Sequence, residues 1–252
     1  MYIKYFILLA NMKIIQSFFL FLLFSIVYGC SNGTDVSSLC FEKEYYEKPL
    51  LENPSEIMFS GGSNNLSVEV SDDNVLEATI GAGKIKIKTK KNGIVYLVVK
   101  DKTENTSVTI RVKVVDSYLG LQLGHPIPNY SVYNEDDRLY LVNDKSKSFY
   151  LYDKSFNLKA TGNYKLFVKN SNFFLSLVFS DKVCFYNISN SSHDFLWGAI
   201  PTYLKFLWTN EGLTTTNARD VSPVVMTAFD LDTNNVYYFN VDSTEFPYGI
   251  LN

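Results

Sequence analysis

With 252 residues, 46% of them apolar, the chain can hold one large domain or two small ones. Its net charge is −3, and setting aside the two positive charges of Lys4 and Lys13 in the apolar N-terminal stretch takes −3 to −5 for the remainder. No basic block is present to meet phosphates, so the expected partners do not include nucleic acid. Aromatics are abundant, with 18 Tyr and 19 Phe, and such residues suit a half-buried pleated surface. The expectation for the fold class is all-β.

The first element in chain order is a leader. Ile14 to Tyr28 is an apolar run interrupted only by Gln16, Ser17 and Ser25, preceded by Lys13 and closed by small residues. That layout is a secretory signal, too short and wrongly flanked for a membrane span. A second start at Met12-Lys13 opens a compact leader of its own, so Met1 and Met12 both stand as starting points. The closing residues Val27-Tyr28-Gly29-Cys30 resemble the lipobox of bacterial lipoproteins. The resemblance implies a diacylglyceryl group on the Cys30 sulfur, cleavage just before it, and acylation of the new amine by a fatty acid of the palmitate kind. Two or more chains hold a protein durably where one gives marginal binding. The plainer alternative is a signal anchor with an incidental cysteine. Residues 1–29 are then the signal peptide and 30–49 a polar tether opening with Ser31-Asn32-Gly33-Thr34. Ser31 directly after the cysteine resembles the pattern that sorts lipoproteins to the outer membrane, with the periplasmic and surface-exposed faces both open.

Cysteines and histidines offer little for catalysis. Cys30, Cys40 and Cys184 are widely spaced, with no C-x-x-C pair. If Cys30 carries lipid, Cys40 and Cys184 either pair in an oxidising compartment or remain free, and a buried free thiol is the blander reading. His125 and His193 are the only histidines, too few for a zinc site or a Ser-His-Asp triad to assemble readily. No catalytic residues, cofactor or metal are expected.

Residues 50–117 alternate clearly. Leu66, Val68 and Val70 face one way and Ser67, Glu69 and Ser71 the other, and Leu76, Ala78 and Ile80 repeat the pattern. Gly81-Ala82-Gly83 supplies a tight turn to Ile85 and Ile87, and Asn92-Gly93 signals a further hairpin. Ile94 to Val99 is apolar on both faces, as a central strand would be, and Val108, Ile110, Val112 and Val114 alternate again. Short strands with turns about every ten residues predict a β-sandwich. Ser71-Asp72-Asp73-Asn74-Val75-Leu76, the glycine turn, Ile85-x-Ile87, Gly93 and the closing Thr109-x-Arg111-Val112-x-Val114 resemble bacterial Ig-like domains of the group 2 type. That resemblance covers about residues 50 to 116 and implies a spacer or adhesive module without catalytic residues. Gly81-x-Gly83-Lys84 is not a phosphate loop, because neither the preceding glycine nor the following Ser or Thr is present.

Residues 118–252 read as a second, small β-rich domain. Leu139-Tyr140-Leu141-Val142, an Asp144-Lys145 turn and Phe149-Tyr150 are echoed by Leu175 to Val178, Asp181-Lys182 and Phe185-Tyr186. A third hairpin joins Ala228-Phe229-Asp230-Leu231 to Val236-Tyr237-Tyr238-Phe239. Propeller blades look similar, but a ring needs more residues than remain, so an open or sandwich-like domain is expected. Asp230, Asp232 and Asn234 match the first half of a calcium loop, with Val241 where a bidentate Glu belongs. A hairpin turn accounts for them equally well. Trp197, Tyr203 and Trp208 cluster in an aromatic stretch and are candidate sugar-stacking residues.

The leading expectation is a non-catalytic, lipid-anchored envelope protein acting as a binding or spacer module. It would be joined to the membrane through its lipid and to a glycan or another envelope protein through its folded part. A glycan-binding accessory of a polysaccharide-uptake system is the alternative. An envelope hydrolase is a second alternative, for which Glu135-Asp136-Asp137 is the sole acidic cluster of the second domain and looks like a turn before a strand.

Overall fold

Alternating apolar residues in the first part of the chain build two sheets, because a strand with a period of two has one face to bury. The computed structural model describes residues 38–124, 133–205 and 224–251. The strands are β1 (Cys40–Phe41), β2 (Tyr45–Pro49), β3 (Ser55–Ser60), β4 (Leu66–Val70), β5 (Leu76–Gly81), β6 (Lys84–Thr89), β7 (Gly93–Asp101) and β8 (Thr106–Val115). One sheet runs β1-β3-β6-β5 and the other β2-β8-β7-β4. Ile57, Leu76, Ile85 and Ile87 from the first meet Val95, Leu97, Val99, Ile110, Val112 and Val114 from the second in one buried core. Lys86 and Lys88 alternate outward between them, as the period requires.

Two sequence expectations are corrected here. Asn92-Gly93 is not a hairpin turn, since β6 and β7 belong to different sheets and the short link crosses between layers. Glycine is needed at 93 for closeness: a Cβ there would lie 2.9 Å from the Val75 side chain. The folded part also begins before residue 50. β1 pairs with β3, and β2 lies parallel to β8 with Tyr46 opposite Val112, inside the stretch that composition assigns to the tether. Burial of Tyr46 and Glu47 holds β2 in place, which local polarity does not reveal.

Asp101 closes this half. Its buried carboxylate accepts the Ser63 amide and hydroxyl, both at 2.6 Å, and the Thr103 and Glu104 amides at 3.0 and 3.1 Å. The Ser63 hydrogen bond is the main cause of a pKa lowered to about 2.

After Asp116-Ser117 the architecture changes. β9 (Tyr118–Leu123), β10 (Arg138–Val142), β11 (Ser148–Tyr152), β12 (Leu158–Lys169), β13 (Asn172–Val178), β14 (Val183–Asn187), β15 (Val225–Asp230) and β16 (Val236–Val241) form an antiparallel meander. It closes into an eight-stranded barrel where β16 pairs with β9, Phe239 opposite Leu123 and Val241 opposite Leu121. The three sequence-predicted hairpins are β10–β11, β13–β14 and β15–β16. The expected open or sandwich-like arrangement is overturned. Closure satisfies both edges of the sheet at once, and its deciding pairing joins the first and last strands.

The barrel is filled. Leu119, Leu121, Leu139, Leu141, Phe149, Leu166, Leu175, Leu177, Met226 and Phe239 point inward. A short helical segment, a π-type turn at Phe195–Ala199 followed by α1 (Ile200–Leu204), adds Phe195, Leu196, Ile200 and Leu204 to the same core. Gly162 permits the tightest approach, since a Cβ there would fall 2.0 Å from the Val178 carbonyl oxygen. No helix among the described residues is long and apolar enough to cross a membrane.

A second cluster lies outside the barrel. Tyr118, Tyr140, Tyr150 and Tyr152 point outward from β9, β10 and β11, and Phe246 from the segment after β16 packs among them at centroid distances of 4.9 to 6.0 Å. Val115 of β8 and Leu251 complete this cluster. The same segment then grips the sandwich: Gly249 donates its amide to Glu47 at 3.0 Å, and Lys113 donates to the Leu251 carbonyl at 2.5 Å.

Two outcomes follow from this packing. Because the Asp101 pKa is depressed, its stabilising effect is present above pH 4 and lost as pH falls toward 2. Urea midpoints measured across that window should fall more steeply for the parent protein than for Asp101→Asn. Phe246→Ala should cost about 3 kcal/mol in urea unfolding, because it empties a fully enclosed aromatic site.

Candidate binding surfaces

Each sequence-predicted site residue has a distinct fate. Cys30 and Trp208 lie outside the described residues, as does His125. Trp197 and Tyr203 sit on the helical segment and are half-buried against the barrel core, Trp197 meeting the Phe173 ring edge-on at 5.8 Å. Part of each ring remains in solvent. Cys40 is exposed and Cys184 buried, and both are free thiols. Burial pushes the Cys184 thiol pKa up, away from reactivity.

Asp230 serves the β15–β16 turn. Its carboxylate, buried at the end of β15, accepts the Asp232 and Thr233 amides at 2.9 and 3.2 Å. Asn234 adopts the left-handed conformation at φ 58° and donates its amide to the Asp230 carbonyl. Asp232 and Asn234 are exposed around this turn. Among the described residues, no group of three or more His, Cys, Asp or Glu gathers as a metal-holding set.

The acidic stretch at 135–137 likewise organises a turn. Asp137 is buried, accepts the Asn134 amide at 2.8 Å and pairs with Lys159 across the barrel wall. Asp136, at φ 61°, accepts the Gln122 side chain at 2.9 Å. These carboxylates point into separate local networks rather than into a shared cleft. A cavity of about 200 Å³ lies beside Lys147, Tyr164, Lys165, Leu166 and Leu204 on the barrel flank.

A row that local sequence does not reveal lies on the outer face of the β2-β8-β7-β4 sheet. Tyr96 of β7, Arg111 of β8 and Tyr45 of β2 occupy one cross-strand row, Tyr96 opposite Arg111 and Arg111 opposite Tyr45. The Arg111 guanidinium carbon stands 5.0 Å from the Tyr45 ring centroid. Tyr248 meets Tyr45 edge-on at 5.9 Å, and the Lys43 ammonium lies 5.0 Å from the Tyr248 ring. Burial and the 2.5 Å hydrogen bond to Glu47 push the Tyr45 pKa up to about 12, so its hydroxyl stays protonated. Alternation in β7 and β8 put Tyr96 and Arg111 outward, but their meeting depends on strand register and on β2.

No family model matches the chain, and none of the curated proteins matches it. Among solved structures it aligns with the structure of the S-layer protein SbsC, domains 5-6, at 10% identity. The alignment covers 82% of this chain and 98% of that one, with a TM-score of 0.26. Overlap at that score carries no argument about fold or function.

Since Asp230 spends its buried oxygen on backbone amides, calcium should not change the thermal midpoint relative to chelator. Asp230→Ala should lower it in both conditions. A calcium-dependent rise in the parent protein would overturn the turn assignment.

Proposed function

We propose that this chain is a non-catalytic, lipid-anchored protein of the cell envelope, held at the outer membrane through an acylated Cys30 and acting as a binding or spacer module. The observation that carries the reading is the fusion of its two β units. The segment from Asp242 to Leu251 binds both the barrel and the sandwich, and the barrel interior is occupied by side chains. A body of this kind presents surfaces at a constant separation and orientation. The leader ending in Gly29-Cys30 supplies the address and the polar residues after it the reach. Within this reading β1 to β8 are an Ig-like sandwich of the group 2 type, supported by two four-stranded sheets over one core. The half-exposed rings of Trp197 and Tyr203 favour a second reading as a glycan-binding accessory of an uptake system.

Metabolic labelling with a radioactive fatty acid tests the anchor. Label should enter the parent protein and be absent from Cys30→Ala, with the variant recovered in the soluble fraction. Equal labelling of both would remove the lipid from the proposal.

A further inference from the structure

β7 is apolar on both faces in sequence, yet its outward residues are uncovered: Ile94 is 47% and Tyr96 50% exposed. Ile94 and Tyr96 lie two residues apart and so share one face of β7. Tyr96 belongs to a strip that runs on through Arg111, Tyr45, Tyr248 and Lys43, mixing aromatic rings with cations. Adjacent strands are about 4.8 Å apart, so Tyr96 and Tyr45 flank the Arg111 strand at a spacing of about 10 Å.

Charge decides what this strip would take. The neighbouring lysines are engaged: Lys100 pairs with Glu69 at 2.6 Å, Lys48 and Lys43 approach Glu245 at 3.5 and 3.7 Å, and Lys113 holds the Leu251 carbonyl. The Arg111 side chain is exposed, and among the described residues no side-chain hydrogen bond or ion pair engages it. Its guanidinium lies over the Tyr45 ring, 5.0 Å from the centroid, which restricts its orientation. A guanidinium held in this way matches a carboxylate in two parallel hydrogen bonds. The exposed Tyr96 ring beside it offers a flat face suited to the C–H face of a sugar ring. A peptide of Asp and Glu alone satisfies the arginine but has no ring face to lay on Tyr96.

We propose that the outer face of the β2-β8-β7-β4 sheet binds an acidic polysaccharide, with Arg111 taking a uronic carboxylate and the exposed Tyr96 ring stacking on the adjoining sugar ring. The choice of a glycan rests on reading the chain as an envelope binding module. The binding itself is measured independently of the lipid anchor, so either can fail without the other.

The test is affinity electrophoresis of the full chain in mild detergent, through gels containing polygalacturonate, dextran or poly-L-glutamate. Polygalacturonate should retard the parent protein, and Arg111→Gln or Tyr96→Ala should each weaken that retention about tenfold or more. Lys88→Gln, an equal loss of charge on the outer face of the other sheet, should leave it unchanged. Circular dichroism of the exposed-residue variants separates loss of binding from loss of fold. No retardation of the parent, or retention indifferent to Arg111→Gln, would overturn the proposal. Equal retention by dextran would remove the carboxylate from it, and equal retention by poly-L-glutamate would replace the glycan with an acidic peptide.

Discussion

The pairing of β16 with β9 is the constraint on which the rest of the molecule depends. It closes the barrel, and it also sets where the chain emerges afterwards. Asp242 donates its amide to the Gly120 carbonyl at 2.8 Å, near the start of β9, and only two residues separate β9 from β8. The terminal segment therefore leaves the barrel beside the sandwich. From there Phe246 reaches the outward tyrosines of β9 to β11, and Gly249 and Leu251 reach β2 and β8. Gly120 helps, since a Cβ at that position would stand 2.9 Å from the Asp242 carbonyl oxygen. Without closure the clasp has no starting point, and the junction would be left to Asp116, Ser117 and the packing of Val115.

Carboxylates in this protein mostly hold backbone. Asp101, Asp137 and Asp230 are buried and satisfy amides in their own or neighbouring loops. Asp144 caps the β10–β11 turn through the Ser148 amide and hydroxyl, and Asp153 accepts the Ser155 and Asn157 amides. Short acidic side chains are favoured in such places because they bond to amides two to four residues on. This accounts for much of the acidic sequence that looks like candidate sites: Asp230 and Asp137 each accept amides of the turns that contain them.

The aromatic residues divide by side of the sheet. Inside the barrel they fill volume, as with Tyr133 and Tyr186, whose hydroxyls share a 2.9 Å hydrogen bond in the core. On the outer face of β9 to β11 they form the cage around Phe246. On the β2-β8-β7-β4 sheet Tyr96 stays exposed next to Arg111, while Tyr45 is half-buried against the Arg111 guanidinium. One residue type thus serves as core, joint and exposed surface, according to what each strand face meets.

What the sequence determined by itself was local. Alternation of period two located β4 to β8, and Asp-Lys turns between aromatic runs located two of the barrel hairpins, because neighbours along the chain settle those choices. Tertiary structure decided the pairings between distant segments. These are the crossing of Asn92-Gly93 between sheets, the parallel docking of β2 on β8, the closure by β16 on β9 and the lodging of Phe246 among four tyrosines. The candidate sites divide in the same way. For Asp230, Asp232 and Asn234 the spacing left a calcium loop and a hairpin turn equally open, and the backbone hydrogen bonds of the β15–β16 connection show where Asp230 is used. The Tyr96–Arg111–Tyr45 row was not legible, since its members come from three strands and meet only when register is set. Register between distant strands is fixed by burial of whole faces, a sum over many residues that no short stretch of sequence records.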